Sequence, residues 1–128
     1  MPKPRFTLDS CMVIKHLNQE YDLENFFIAQ GEYEKCVSVI TFIETLASPD
    51  MTVEEEAAAR DFLSGCAVID ITPEIREKAI LIRRFRKRLK LPDALIAATA
   101  IELTSTLLST DDHFKDFSWP GFSLQTIV

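Results

Sequence analysis

Short runs rich in β-branched residues alternate along the chain with longer runs whose apolar residues recur at helical spacing. This alternation predicts an α/β domain with a mainly parallel central sheet. We expect the last strand to lie at an edge of that sheet. The predicted strands are Arg5–Leu8, Cys36–Ile40, Ala67–Ile69, Thr106–Ser109 and Phe122–Val128.

Six helices are predicted between these strands, because capping residues, prolines and glycines interrupt the apolar periodicity. The most apolar helix begins at Ala94, and the helix before it has Pro73 in its first turn. The predicted helices run from Asp9 to about Leu17, from Leu23 to Gln30 with Gly31 closing it, from Thr41 to the Ser48-Pro49-Asp50 break, from Thr52 to Gly65, from Thr72 to the Leu91-Pro92-Asp93 break, and from Ala94 to Leu103.

The composition is that of an ordinary globular domain, with 47% hydrophobic and 27% charged residues. A length of 128 residues suits one hydrophobic core, so we expect a single domain over residues 1–128. The longest nearly apolar stretch, Ala94–Ile101, is far shorter than the roughly 20 residues of a membrane span, and we expect no membrane association. Cys11, Cys36 and Cys66 are odd in number and lack CxxC spacing, which disfavours disulfides and structural zinc and favours a cytoplasmic location.

Positive charge is concentrated in one segment, although the net charge of the chain is −6. Six of the 14 basic residues lie between Arg83 and Lys90, where there is no acidic residue. This basic segment could attract RNA phosphates or an acidic partner protein, and a solvated helix face is the structural alternative. The candidate RNA-binding residues within it are Arg83, Arg84, Lys87 and Arg88.

Four acidic residues stand just after a predicted strand or in the first turn of a predicted helix. Asp9 follows the first strand, Glu44 lies one turn into the helix after the second, Asp93 begins the apolar helix, and Asp111 follows the fourth strand. Each has a structural alternative as a cap or turn residue, and Thr41 with Glu44 has capping-box spacing. Because the carboxyl ends of parallel strands share one sheet edge, the four could meet there, and their mutual repulsion would then require protonation or a compensating cation. Mg²⁺ or Mn²⁺ suits oxygen ligands, and phosphate-ester hydrolysis is the chemistry that such a cluster fits best.

Four segments carry a resemblance to a known family, and the most specific is Leu-Pro-Asp followed by an alanine-rich helix. The segments are Leu8–Ser10, Val39–Glu44, Leu91–Ala100 and Leu108–Phe114. Through them the chain resembles a PIN-domain ribonuclease, in particular the VapC-like toxins of bacterial toxin–antitoxin pairs, over almost its whole length.

The resemblance implies a PIN-like three-layer α/β/α domain and a Mg²⁺- or Mn²⁺-dependent endoribonuclease with an RNA substrate and an antitoxin partner. It also implies a metal site with Ser109 as the hydroxyl residue beside the last acid. The implied catalytic and metal-binding acids are Asp9, Glu44, Asp93 and Asp111. Cys11 is a departure, because these toxins often have asparagine there, and a thiol is a poor hydrogen-bonding substitute for an amide. We expect this departure to affect the local geometry of the metal site.

Two other functional classes stay open. A phosphoacceptor signalling domain also places acids at this edge, but it expects an acidic pair after the first strand and a lysine after the last parallel strand, and neither is present. A non-catalytic protein-binding module on the same fold is the other class. We further expect a homodimer, a surface position for His113, and burial of Phe114 as the anchor of the turn after the fourth strand.

Overall fold

The computed structural model describes residues 3–110 and 112–127. Its five strands form one sheet in which every neighbouring pair is parallel, in the order β3-β2-β1-β4-β5. This confirms the predicted parallel sheet and the edge position of the last strand. The strands are β1 (Arg5–Leu8), β2 (Glu34–Ser38), β3 (Ala67–Ile69), β4 (Thr106–Ser109) and β5 (Ser123–Thr126).

Helices connect the strands and cover the sheet on both faces, which gives the expected three-layer α/β/α architecture. A short 3₁₀ helix, Asp112–Phe114, follows β4. No helix in the described part of the chain combines the length and the apolarity needed to cross a bilayer. The α-helices in these ranges are α1 (Ser10–Leu17), α2 (Leu23–Ile28), α3 (Val39–Leu46), α4 (Val53–Ser64), α5 (Pro73–Phe85) and α6 (Leu91–Glu102).

Two hydrophobic clusters, one on each face, hold the layers together. Successive residues of a strand point to opposite faces, and in β4 Leu107 packs with residues of α5 and α6 while Leu108 packs with residues of α1, α2 and α4. Both leucines are fully buried. Phe114 is also fully buried in the first cluster, as predicted, so it fixes the segment that follows β4.

The boundary between β2 and α3 differs from the prediction. The β-branched run Val39-Ile40 favours a longer strand, but the strand ends at Ser38, whose hydroxyl accepts a hydrogen bond from the Ile40 amide and caps α3. The helix therefore starts two residues before Thr41, and no capping box forms between Thr41 and Glu44. Instead, the Thr41 hydroxyl donates to the Leu8 carbonyl at the end of β1, at 3.3 Å.

The other differences concern the ends of helices and strands, and β2 starts at Glu34, two residues before the predicted Cys36. The helix predicted to reach the Leu91-Pro92-Asp93 break stops at Phe85, and α6 starts at Leu91 with proline in its first turn. Residues 86–90 form a turn because Arg83 folds back and its Nη1 donates to the carbonyls of Lys87 and Leu89, at 3.0 and 2.6 Å. In addition, α2 stops at Ile28, two residues early. The last strand is shorter than predicted, and Val128 lies outside the described residues.

Candidate active site

The candidate site lies where the sheet reverses its direction of winding. Strands β1 and β4 are neighbours, but the chain continues from β1 to β2 on one side and from β4 to β5 on the other. In open parallel sheets the carboxyl ends of two such strands form a crevice in which ligands bind. Asp9 directly follows β1 and Ser109 ends β4, so both residues stand at this crevice.

Asp9 is a buried carboxylate held by three neutral donors. Its Oδ1 accepts from the Ser10 amide at 2.7 Å, so it caps α1 as predicted. Its Oδ2 accepts from the Ser109 hydroxyl at 2.8 Å and from the Cys11 thiol at 3.2 Å. Asp9 is only 2% exposed, and no lysine or arginine in the described ranges pairs with it. A buried charge without a cationic partner is costly, so this carboxylate suits a bound cation.

Cys11 takes part in the same hydrogen-bond network. Burial, and then the negative charge of Asp9, raise the pKa of its thiol, which therefore stays protonated at neutral pH and can donate to the carboxylate. The Thr110 hydroxyl in turn donates to the Cys11 sulfur at 3.6 Å. The residue that departs from the family pattern thus contacts the first acid of the predicted site.

Asp93 lies in the first turn of α6, and its side chain is 14% exposed. Its Oδ2 is 3.2 Å from Nδ1 of His113, which belongs to the 3₁₀ helix after β4. The imidazole is half exposed, as the predicted surface position required, but its contact with Asp93 was not predicted. The only sequence signal for it was the neighbouring Phe114, whose burial holds the 3₁₀ helix against the domain.

The remaining predicted acids are not brought into a visible cluster. Glu44 lies on α3 with an exposed side chain, although α3 packs against α1, which Asp9 caps, and against α6, which carries Asp93. Asp111 lies outside the described residues. Within residues 3–110 and 112–127, no group of three or more His, Cys, Asp or Glu side chains is arranged to hold a metal ion. The four-acid metal site therefore stays a prediction.

The basic segment is exposed, and the structure divides it between the end of α5 and the turn that follows. Arg83 uses its guanidinium to hold that turn. Arg84, Lys87 and Arg88 form no ion pair with any described residue.

Comparison with known proteins agrees with this fold. The PIN domain profile matches residues 6–120. One similar structure is that of VapBC2 from Rickettsia felis bound to a DNA fragment from its promoter. A chain of that structure superposes with a TM-score of 0.83 and is 19% identical in sequence, and the match covers 97% of this chain and 99% of that one. A chain of DNA-bound VapBC from Salmonella typhimurium gives 0.79 at 20% identity, with coverages of 96% and 98%.

A chain of a toxin–antitoxin complex from Klebsiella pneumoniae is 26% identical, with a TM-score of 0.72 and coverages of 91% and 93%. No curated protein sequence matches the chain. The strand order found here also differs from the 2-1-3-4-5 order of flavodoxin-like signalling domains, which removes support from the phosphoacceptor alternative.

Proposed function

The chain belongs to the PIN-domain family, and on that premise we propose that it is a metal-dependent endoribonuclease that hydrolyses RNA phosphodiesters as the toxin of a type II toxin–antitoxin system. Similarity to chains of VapBC and toxin–antitoxin complexes supports the toxin role. The proposal includes an antitoxin protein as partner and a homodimer as the assembly. The three cysteines, which are all free thiols, are in keeping with a cytoplasmic location.

The observation that carries the proposal is the buried Asp9 carboxylate, which has only neutral hydrogen-bond donors around it among the described residues. Its oxygens and those of Asp93 are the donor type that Mg²⁺ and Mn²⁺ prefer. We propose that Asp9, Glu44, Asp93 and Asp111 hold the ion. When bound, it would supply positive charge against the negative charge that builds on the phosphate during in-line attack.

The chain's own side chains orient these acids. The Ser109 hydroxyl fixes the rotamer of Asp9 through a hydrogen bond between two buried groups. His113 contacts Asp93 and restricts the position of its carboxylate. The basic segment supplies positive charge for RNA phosphates, with Arg83 holding the turn on which Lys87 and Arg88 are displayed.

Cleavage of a panel of structured RNAs with Mg²⁺, with Mn²⁺ and with chelator tests the proposal. We expect metal-dependent cleavage by the wild type and a rate loss of roughly 10²-fold or more in Asp93→Asn, because the amide keeps the shape of the carboxylate but removes its charge. Asp61→Asn, at an exposed position on α4, is the matched control and should cleave normally. Full activity of a folded Asp93→Asn protein at saturating Mg²⁺ would refute the proposed site.

A further inference from the structure

A cavity of about 360 Å³ opens beside the candidate active site, between the turn after α5 and the segment after β4. We call it the turn cavity. Its volume lies at the small end of the range of roughly 300–1,000 Å³ that is typical of small-ligand sites. One wall is formed by Phe85, Arg86, Lys87, Arg88 and Leu89, and the other by Asp112, His113, Asp116 and Phe117.

The basic wall of the turn cavity is held in place by internal bonds. Arg83 donates to two carbonyls of the turn, as described above. Arg86 donates to the carbonyls of Phe85 and Ser118, at 2.9 and 3.4 Å, and its guanidinium lies over the Trp119 ring at 5.9 Å from the centroid. These bonds join the turn to the segment after β4, so the two walls have a defined separation before any ligand binds.

The groups that the basic wall displays are those that recognise unpaired nucleotides. Phe85 is 66% exposed, which is unusual for a large aromatic side chain, and its ring is 6.4 Å from that of Trp119. Lys87 and Arg88 are exposed, and neither forms an ion pair within the described ranges. Proteins that bind single-stranded nucleic acid combine aromatic rings, on which bases stack, with cations that hold the backbone.

The opposite wall favours a nucleotide over an acidic peptide. Asp112 and Asp116 are exposed acids that line the cavity across from the basic turn. Their carboxylates would repel the phosphates of RNA as well as an acidic peptide, so the phosphates would have to lie against Lys87 and Arg88. The same carboxylates can accept hydrogen bonds from the amino groups of nucleobases, which an acidic peptide lacks. His113 lines the same wall, and its imidazole contacts Asp93. A ligand in the turn cavity is therefore next to the candidate active site.

We propose that the turn cavity binds one unpaired nucleotide of RNA, with the base stacked on Phe85 and the adjoining phosphates contacted by Lys87 and Arg88. The nucleotide would lie beside the cleaved bond, so the cavity would help to select the cleavage position. This last step rests on the proposed function, but binding of RNA in the cavity does not.

Binding of short single-stranded oligoribonucleotides that contain 2-aminopurine tests this inference in the presence of chelator, where no metal-dependent cleavage occurs. Stacking quenches the fluorescence of 2-aminopurine, and anisotropy of a labelled oligonucleotide gives the affinity. We expect quenching by the wild type, its loss in Phe85→Ala with an affinity roughly 5-fold lower or more, and its retention in Phe85→Trp. In Lys87→Gln and Arg88→Gln, the log–log salt slope should fall by up to roughly 0.7 for each phosphate that is no longer neutralised.

Lys3→Gln is the charge-matched control, because Lys3 is exposed and precedes the amino end of β1, whereas the candidate active site lies at the carboxyl end of that strand. It should leave quenching, affinity and salt slope unchanged. Circular dichroism checks the fold of each variant, and the exposure of Phe85 makes its replacement compatible with folding. Competition with an oligoglutamate peptide measures whether the cavity takes an acidic protein segment instead.

Three results would overturn the inference. The first is that the wild type binds no RNA, and the second is that quenching is unchanged in Phe85→Ala while the salt slope is unchanged in the two basic variants. The third is that binding of the peptide depends on Lys87 and Arg88 while binding of RNA does not. Because chelator is present, these results are independent of catalysis. A protein that binds RNA in the cavity but cleaves none with Mg²⁺ or Mn²⁺ would contradict the proposed function and leave the binding site standing.

Discussion

Replacing Asp9 by asparagine should make the metal-free protein more stable and at the same time remove its response to Mg²⁺. The carboxylate is 2% exposed and its partners in the described chain are a hydroxyl, a thiol and a backbone amide, none of which carries charge. Asparagine has the same shape and caps helices as well as aspartate, so the bond from the Ser10 amide can be kept.

The size of the effect follows from two opposing terms. With its oxygen kept on the Ser10 amide, asparagine places its NH₂ group at the Oδ2 position, where it can donate to the Ser109 hydroxyl but no longer accepts from that hydroxyl or from the Cys11 thiol. A hydrogen bond to an ionised group is about twice as strong as a neutral one, so this exchange costs about 1 kcal/mol. Burying an unpaired ion costs several kcal/mol, and the variant avoids that cost. We therefore expect Asp9→Asn to gain about 1 kcal/mol or more in chelator, which raises the unfolding midpoint by roughly 3 °C or more for a chain of this size.

The order should reverse when the ion is added. A bound ligand stabilises the folded state by about 2.7 kcal/mol at 100 times its Kd and by about 4.1 kcal/mol at 1,000 times, so the wild type should overtake the variant as Mg²⁺ is raised while the variant changes little. Thermal unfolding followed by circular dichroism, in chelator and across a Mg²⁺ titration, measures both parts. Asp22→Asn is the matched control, because Asp22 caps α2 at an exposed position and its variant should keep the wild-type response.

A different pattern would refute this reasoning. If Asp9→Asn is less stable than the wild type in chelator and both proteins respond equally to Mg²⁺, Asp9 is a structural cap that is satisfied by its neutral partners. The metal would then have to bind elsewhere.

Two further predictions concern neighbouring residues that the sequence does not separate. Asp111→Asn should impair metal-dependent cleavage substantially more than Asp112→Asn, because the resemblance to PIN-domain toxins implies an acid three residues before Phe114, which is buried, and because Asp112 is exposed. The reverse ranking in matched kinetic assays would shift the site by one residue. Arg83→Gln should lower the free energy of unfolding, measured in urea, by about 1 kcal/mol, because it removes two hydrogen bonds to carbonyls of the following turn. Arg84→Gln is the control and should stay within about 0.5 kcal/mol of the wild type. Equal stabilities of the two variants would show that the turn does not depend on Arg83.

The sheet was predictable because its strands coincide with short runs of strand-forming residues between clear breaks, and such runs are visible in the local sequence. The boundary between β2 and α3 was harder to predict, because the β-branched side chains of Val39 and Ile40 favour a strand while the hydroxyl of Ser38 favours the start of a helix. Tertiary contact decides between the two: Thr41 donates to the end of β1, which places the first turn of α3 beside the neighbouring strand.

The sequence predicts the parts of the candidate site that follow directly from the ends of strands. The bond between Ser109 and Asp9 joins residues at the carboxyl ends of neighbouring strands, and the alternation of elements indicates that edge. The contact between His113 and Asp93 depends on how the 3₁₀ helix packs against α6, for which the sequence offers no period or spacing. The end of α5 was missed for a similar reason, since its basic residues are good helix formers and only the folded-back Arg83 side chain fixes the turn.

Cys11 stands where the resemblance implies asparagine, and its thiol and the Ser109 hydroxyl both donate to Oδ2 of Asp9. Burial and the charge of Asp9 raise the pKa of the Cys11 thiol, so at neutral pH it remains a donor and adds no second negative charge to the site. A thiol is a weaker donor than a hydroxyl or an amide, so of the two side-chain donors to Oδ2 the Ser109 hydroxyl, at 2.8 Å, holds the carboxylate more strongly than the Cys11 thiol, at 3.2 Å. The first acid of the site therefore depends mainly on a residue at the end of β4, which couples its geometry directly to the pairing of β1 with β4.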